Sequence, residues 1–131
     1  MAIDKVQYWT NLADYDYDTA QAMYDTGRWL YVGFMCHQTL EKILKAYWCA
    51  TMPSDPPYTH NLARLSNDSG LSSMMSEAQN SFVDSMIPLN IEARYPSYQE
   101  QLLQALSPEV CQHILTKTQE FTTWIKQKLS K

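Results

Sequence analysis

Residues 31 to 50 read YVGFMCHQTLEKILKAYWCA, twenty positions with no Pro and a single Gly, Gly33, near the start. Apolar and aromatic side chains recur at Leu30, Phe34, Leu40, Leu44 and Tyr47, and Ile43 and Trp48 widen the stripe. Residues three and four apart share one face of a helix, so this spacing predicts a long α-helix. Set into it are His37, Gln38, Glu41 and Lys45, which a helix built only for packing does not need. Glu41 and Lys45 stand four apart in the favourable order. As an ordinary surface pair they would stabilise the helix by about 0.3–0.5 kcal/mol.

Upstream, Val6, Trp9, Ala13, Asp16, Ala20 and Met23 alternate steps of three and four, the pattern of a helix packed nearly parallel to its neighbours. This predicts a first helix over residues 3 to 25. Asp16 is the anomaly, a carboxylate on the packing seam, and such a group must find a partner. Gly27 suits a helix end because it takes positive φ readily. Arg28 and Trp29 then lead straight into the second helix, so the two should form an antiparallel hairpin. In that hairpin, residues whose numbers sum to about 54 lie level. Asp16 should therefore accept a hydrogen bond from His37 or Gln38, or from a second subunit, and the alanines flanking it let the helices approach. A His37 so paired would have a raised pKa.

The prolines of MPSDPPYTH (residues 52–60) end the second helix. Thr59 is placed to cap a short helix from His60 to about Asn67. A fourth helix is expected from Ser73 to Met86, broken by Pro88, with a further turn over residues 91–95. The segment RYPSYQEQ (residues 94–101) reads as irregular and polar. Ser107-Pro108-Glu109 combines a cap, a first-turn Pro and an early acid, a strong start for a last helix reaching Leu129. No strand-like alternation of useful length occurs. The fold expected is an all-α, up-and-down bundle of about five helices in a single domain spanning residues 1–131.

Composition narrows the function classes. The chain has 131 residues, 45% of them hydrophobic and 18% charged, with only three Gly. Its formal net charge is −4, which argues against broad, non-specific nucleic-acid binding. Lys42, Lys45, Arg64 and Arg94 could still converge into a local basic patch. Cys36, Cys49 and Cys111 are odd in number and lack metal spacing, which favours packing roles and a cytoplasmic setting. No apolar run is long enough to span a membrane, and the first residues lack the pattern of a signal peptide. His37 and Glu41 share a helix face and His113 lies on the last helix, but three such groups do not by themselves make a metal site. No metal and no cofactor are expected.

Four short motifs occur in order: Trp9-x3-Ala13-x2-Asp16-x3-Ala20, Gln38-x2-Glu41-Lys42-x2-Lys45, Thr59-His60-x-Leu62 and Arg94-Tyr95-Pro96. Together they resemble the HEPN family of small all-helical domains, over roughly residues 8 to 125. The resemblance implies a homodimer that binds a nucleotide or RNA. It also implies a minimal nucleotidyltransferase partner, in a toxin–antitoxin or substrate-binding-subunit arrangement. Many family members are ribonucleases that use an Arg and a His separated by four to six residues. Here no His follows Arg28, Arg64 or Arg94 at that spacing, so no catalytic residue is assigned and the usual nuclease activity is not expected. A ligand site would draw on Lys42, Lys45, His60, Arg94 and Tyr95, and a structural polar layer on Asp16, His37, Gln38 and Glu41. Two further readings remain open: a ribonuclease toxin with a non-standard site, and a stand-alone interaction module. The nine Tyr and four Trp exceed what one bundle core readily buries, which also asks for a partner.

Overall fold

The computed structural model describes residues 4–90 and 96–130. Helix α1 spans Lys5–Asp25 and α2 spans Trp29–Thr51. Next come α3, Leu62–Asp68, and α4, Glu77–Met86. The chain closes with α5, Pro96–Ala105, and α6, Pro108–Leu129. Single 3-10 turns cover Leu71–Met74 and Ile87–Leu89. Every described regular element is helical, as the periodicity requires.

The α1–α2 connection is short because Gly27 sits at φ 74°. That conformation lets the amide of Arg28 donate to the carbonyl of Met23 at 2.8 Å and that of Gly27 to Tyr24 at 3.1 Å, closing the end of α1. The two helices then run antiparallel along their lengths. Helix α6 lies against both. Its Cys111 thiol approaches the carbonyl of Trp29 at 3.6 Å and its Thr118 lies against Cys36, so α6 runs parallel to α2. The Tyr17 hydroxyl donates to the Leu115 carbonyl at 2.9 Å and Lys126 reaches Asp14 at 2.6 Å, which makes α6 antiparallel to α1.

Helix α2 is the axis of the molecule. It buries almost every residue from Cys36 to Trp48, with Leu40, Ile43 and Leu44 fully enclosed. Leu62 and Leu65 of α3, Val83 and Met86 of α4, and Ile114, Phe121 and Ile125 of α6 complete the core around it. Gly33 marks a close approach, since a Cβ there would stand 3.3 Å from both Leu89 and Leu106.

Three sequence-based expectations need correction. The cap of α3 is Asn61, whose side chain accepts from the Arg64 amide at 3.1 Å. Thr59 acts one step earlier, accepting from the Asn61 amide, so the helix starts two residues later than expected. The helix expected from Ser73 begins instead at Glu77, because Met75 and Ser76 are extended and Ser76 forms a reciprocal capping box with Gln79. The segment expected to be irregular after residue 95 is the helix α5. Its polarity is that of a surface helix, and Pro96 stands at its first position, where a missing N–H costs nothing. The turn expected over residues 91–95 lies outside the described residues. The Ser107 cap and the extent of α6 agree with expectation.

Candidate functional site

The polar residues singled out on α2 are buried, and two ion pairs are built around them, Lys45–Glu41 and Lys42–Asp16. Lys45 donates to Oε2 of Glu41 at 3.0 Å, and Oε1 of the same carboxylate holds Nδ1 of His60 at 2.7 Å. Glu41 is 2% exposed and Lys45 7%, so the expected surface pair is an interior one. One turn away, the Lys42 ammonium donates to Asp16 at 2.9 Å and to Gln38 at 3.0 Å. A buried carboxylate without such partners would cost several kcal/mol; here both find them.

Asp16 does have a partner on the second helix, but it is Lys42 rather than His37 or Gln38. The reason is side-chain direction. Helical side chains lean toward the helix N-terminus, so the Lys42 ammonium sits one turn back, level with Gln38. The same register, numbers summing to 54, brings Lys45 over the Trp9 ring at 5.1 Å from its centroid, a cation–π contact. The spacing contains that contact, but nothing in it singles the pair out. Ala13 and Ala20 are fully buried on either side of Asp16.

His37 departs from expectation more sharply. It is fully buried and neither ring nitrogen has a hydrogen-bond partner among the described residues. Burial pushes its pKa down to about 4, with the charges of His60 and Lys42 acting in the same direction. The Glu41 carboxylate and the His60 backbone favour the cation without prevailing. The expected rise for a carboxylate-paired His37 is therefore reversed. For Glu41, burial favours the neutral acid, but the hydrogen bonds from His60 and Lys45 outweigh it and hold the carboxyl below its usual value. Burial raises the thiols of Cys36 to about 12 and Cys111 to about 11, as fits packing residues.

Of the proposed ligand residues, the structure brings Lys45 and His60 together through Glu41 and places Lys42 one turn away on the same helix. Arg94 and Tyr95 lie outside the described residues. His60 is the solvent-facing end of the cluster, its side chain 58% exposed. His113 belongs elsewhere, on the wall of an apolar groove of about 720 Å3 between α4, α5 and the first half of α6. Phe82, Met86, Leu102, Ile114 and Phe121 line that groove, and Val110 stands exposed at its edge. Among the described residues no group of three or more His, Cys, Asp or Glu is placed to hold a metal, and no helix is long and apolar enough to cross a membrane.

Comparison with curated proteins finds no match. Among solved structures the fold is similar to TT1696 from Thermus thermophilus, with a TM-score of 0.80 at 16% identity, over 96% of this chain and 99% of that one. The family model of the HEPN domain matches residues 6–128. With nearly the whole chain matched, and with the four motifs in their order along it, this protein belongs to the HEPN domain family.

Proposed function

We propose that the protein is a binding module: a single HEPN unit that forms a homodimer, binds a nucleotide or RNA and works beside a minimal nucleotidyltransferase. The arrangement would be that of a substrate-binding subunit or a toxin–antitoxin pair, and the cytoplasm, which suits three free thiols, is the proposed location. The observation that carries this reading is the Lys45–Glu41–His60 chain. A charge pair is buried at considerable cost, and its one outlet to solvent among the described residues is an imidazole held in a fixed orientation. Such investment is typical of a site that recognises something. Arg94 and Tyr95 complete the proposed site with a cation able to grip phosphate and an aromatic ring able to stack. The apolar groove supports the homodimer, since an open surface of that kind on a small domain favours association. No catalytic residue is assigned, because the family's Arg-to-His spacing does not occur in the sequence.

The test is direct. The purified protein, titrated with the common ribonucleotides and short RNAs, should bind at least one of them, and the His60→Ala variant should bind it less well. A chain that binds neither nucleotide nor RNA would end the proposal. Sedimentation should find a species of twice the 15.2 kDa chain mass at tens of micromolar. The His60–Glu41 pair also favours a second reading, a ribonuclease with a non-standard site, because a carboxylate-oriented imidazole is a competent general base. RNA cleavage that survives stringent purification and disappears in His60→Ala would establish that alternative.

A further inference from the structure

The ionic arrangement around His60 fixes what kind of group this site can hold. Glu41 is ionised and therefore only accepts hydrogen bonds, so the His60 nitrogen 2.7 Å from it, Nδ1, must carry a proton. In the neutral ring the other nitrogen, Nε2, is then an acceptor. It has no protein partner among the described residues, and the side chain is more than half exposed. Among the described residues the neighbouring cations are already engaged. Lys45 is held by Glu41 and lies over Trp9, and Lys42 is held by Asp16 and Gln38. Their side chains are only 9% and 17% exposed. Two lysines and two carboxylates cancel, and the nearest cation on α3, Arg64, faces Asp68 at 3.6 Å. An incoming phosphate would have to break a buried ion pair to reach either lysine, which makes this a poor anion site.

Resting on the nucleotide-binding reading above, we propose that the Glu41–His60 pair contacts the nucleoside part of the ligand and not its phosphate. His60 Nε2 accepts a hydrogen bond from a ribose hydroxyl or an exocyclic amine, while Lys42 and Lys45 serve the interior. Carboxylate-held histidines elsewhere fix the tautomer and aim of the ring in the same way. A contact of this kind releases no counterions, so it adds nothing to the salt dependence of binding.

The experiment uses the full chain labelled with 15N at its histidine rings, at pH 8. The four ribonucleosides, their 5′-monophosphates and inorganic phosphate are added in turn. Before any addition, the His60 signals should report a proton on Nδ1. The nucleoside that binds should then shift the Nε2 resonance as its monophosphate does. Inorganic phosphate should leave the signal unmoved, and His60→Ala should weaken nucleoside binding at least tenfold. Affinity for the nucleoside should stay within twofold between 50 and 300 mM salt. Monophosphates that shift Nε2 while nucleosides do not, or phosphate that shifts it alone, would overturn the inference and leave nucleotide binding intact. So would binding of any of them that leaves the His60 signals unchanged. If nothing in the panel and no RNA binds, the functional reading fails and this inference fails with it. The wild-type spectra decide between these outcomes even if a variant at Glu41 or His60 folds poorly.

Discussion

The two faces of the bundle invert the usual rule about what is buried. Between α1, α2 and α3 the molecule encloses Asp16, Lys42, Glu41, Lys45 and His37, groups that are ordinarily exposed. Between α4, α5 and α6 it leaves open a groove lined by Phe82, Met86, Leu102, Ile114 and Phe121, side chains that ordinarily close a core. On the first face the buried charges are paired: Lys42 and Lys45 each have a carboxylate. The second is apolar and, among the described residues, is left uncovered. Stability against acid and mutation should therefore be decided at the polar face, and association at the apolar one.

The sharpest way to break that contrast is Glu41→Ala. It leaves the Lys45 ammonium buried without its carboxylate, and the expected loss is about 3–5 kcal/mol, read from the denaturant midpoint. A loss below about 1 kcal/mol would mean that the pair is solvated in solution and the two faces are less different than they look.

Acid should act on the same face. His37 is held near a pKa of about 4 against an ordinary value of 6.5, so the unfolded chain binds its proton more readily. The stability contributed by the neutral ring is full above pH 6.5 and is lost as the pH falls toward 4. At about 1.4 kcal/mol per unit the total is about 3 kcal/mol. Glu41, whose pKa is lowered, adds a loss in the same direction below its ordinary value of 4.5. Stability measured from pH 7.5 to 4 should fall accordingly, and His37→Leu should flatten the part between 6.5 and 4. A flat profile in the wild type would remove the argument.

A smaller effect is expected at Asp16. Asp16→Asn weakens the bond to Lys42 but keeps an acceptor, for a cost of about 1–3 kcal/mol. A double-mutant cycle with Lys42→Met isolates the pair. Zero coupling would show that Asp16 is held by something else.

The smallest change in stability belongs to the open groove. Val110 is 41% exposed at its edge, so Val110→Glu should leave folding stability within about 0.5 kcal/mol of wild type. If the groove joins two copies, the same substitution should shift sedimentation toward the monomer. An unchanged dimer would place the interface on another face.

How much of this is legible in the sequence differs by kind of feature. Helix α6 is readable from Ser107 to Leu129 because a cap, a Pro and a continuous apolar stripe are local signals. Helix α5 escapes notice because its polar residues after Pro96 give no strong period, and propensity alone is a weak guide. At the site, the residue set on α2 and the need for an Asp16 partner are readable, since a carboxylate on a packing seam is conspicuous. The identity of that partner is not, because it depends on a lysine reaching back one turn.

By itself, the sequence determined the all-helical fold, the α1–α2 hairpin and its register, and the family that the motifs mark. These depend on spacing along the chain, which one strand of text contains in full. Only the tertiary structure decided that Glu41–Lys45 is an interior pair and that His37 is neutral and unpartnered among the described residues. It also decided that His60 is the exposed end of the cluster and that an apolar groove opens beside α4. Burial and charge pairing are properties of what other elements bring to a residue. Glu41 acquires its second partner from nineteen positions along the chain, and no period within α2 contains that information.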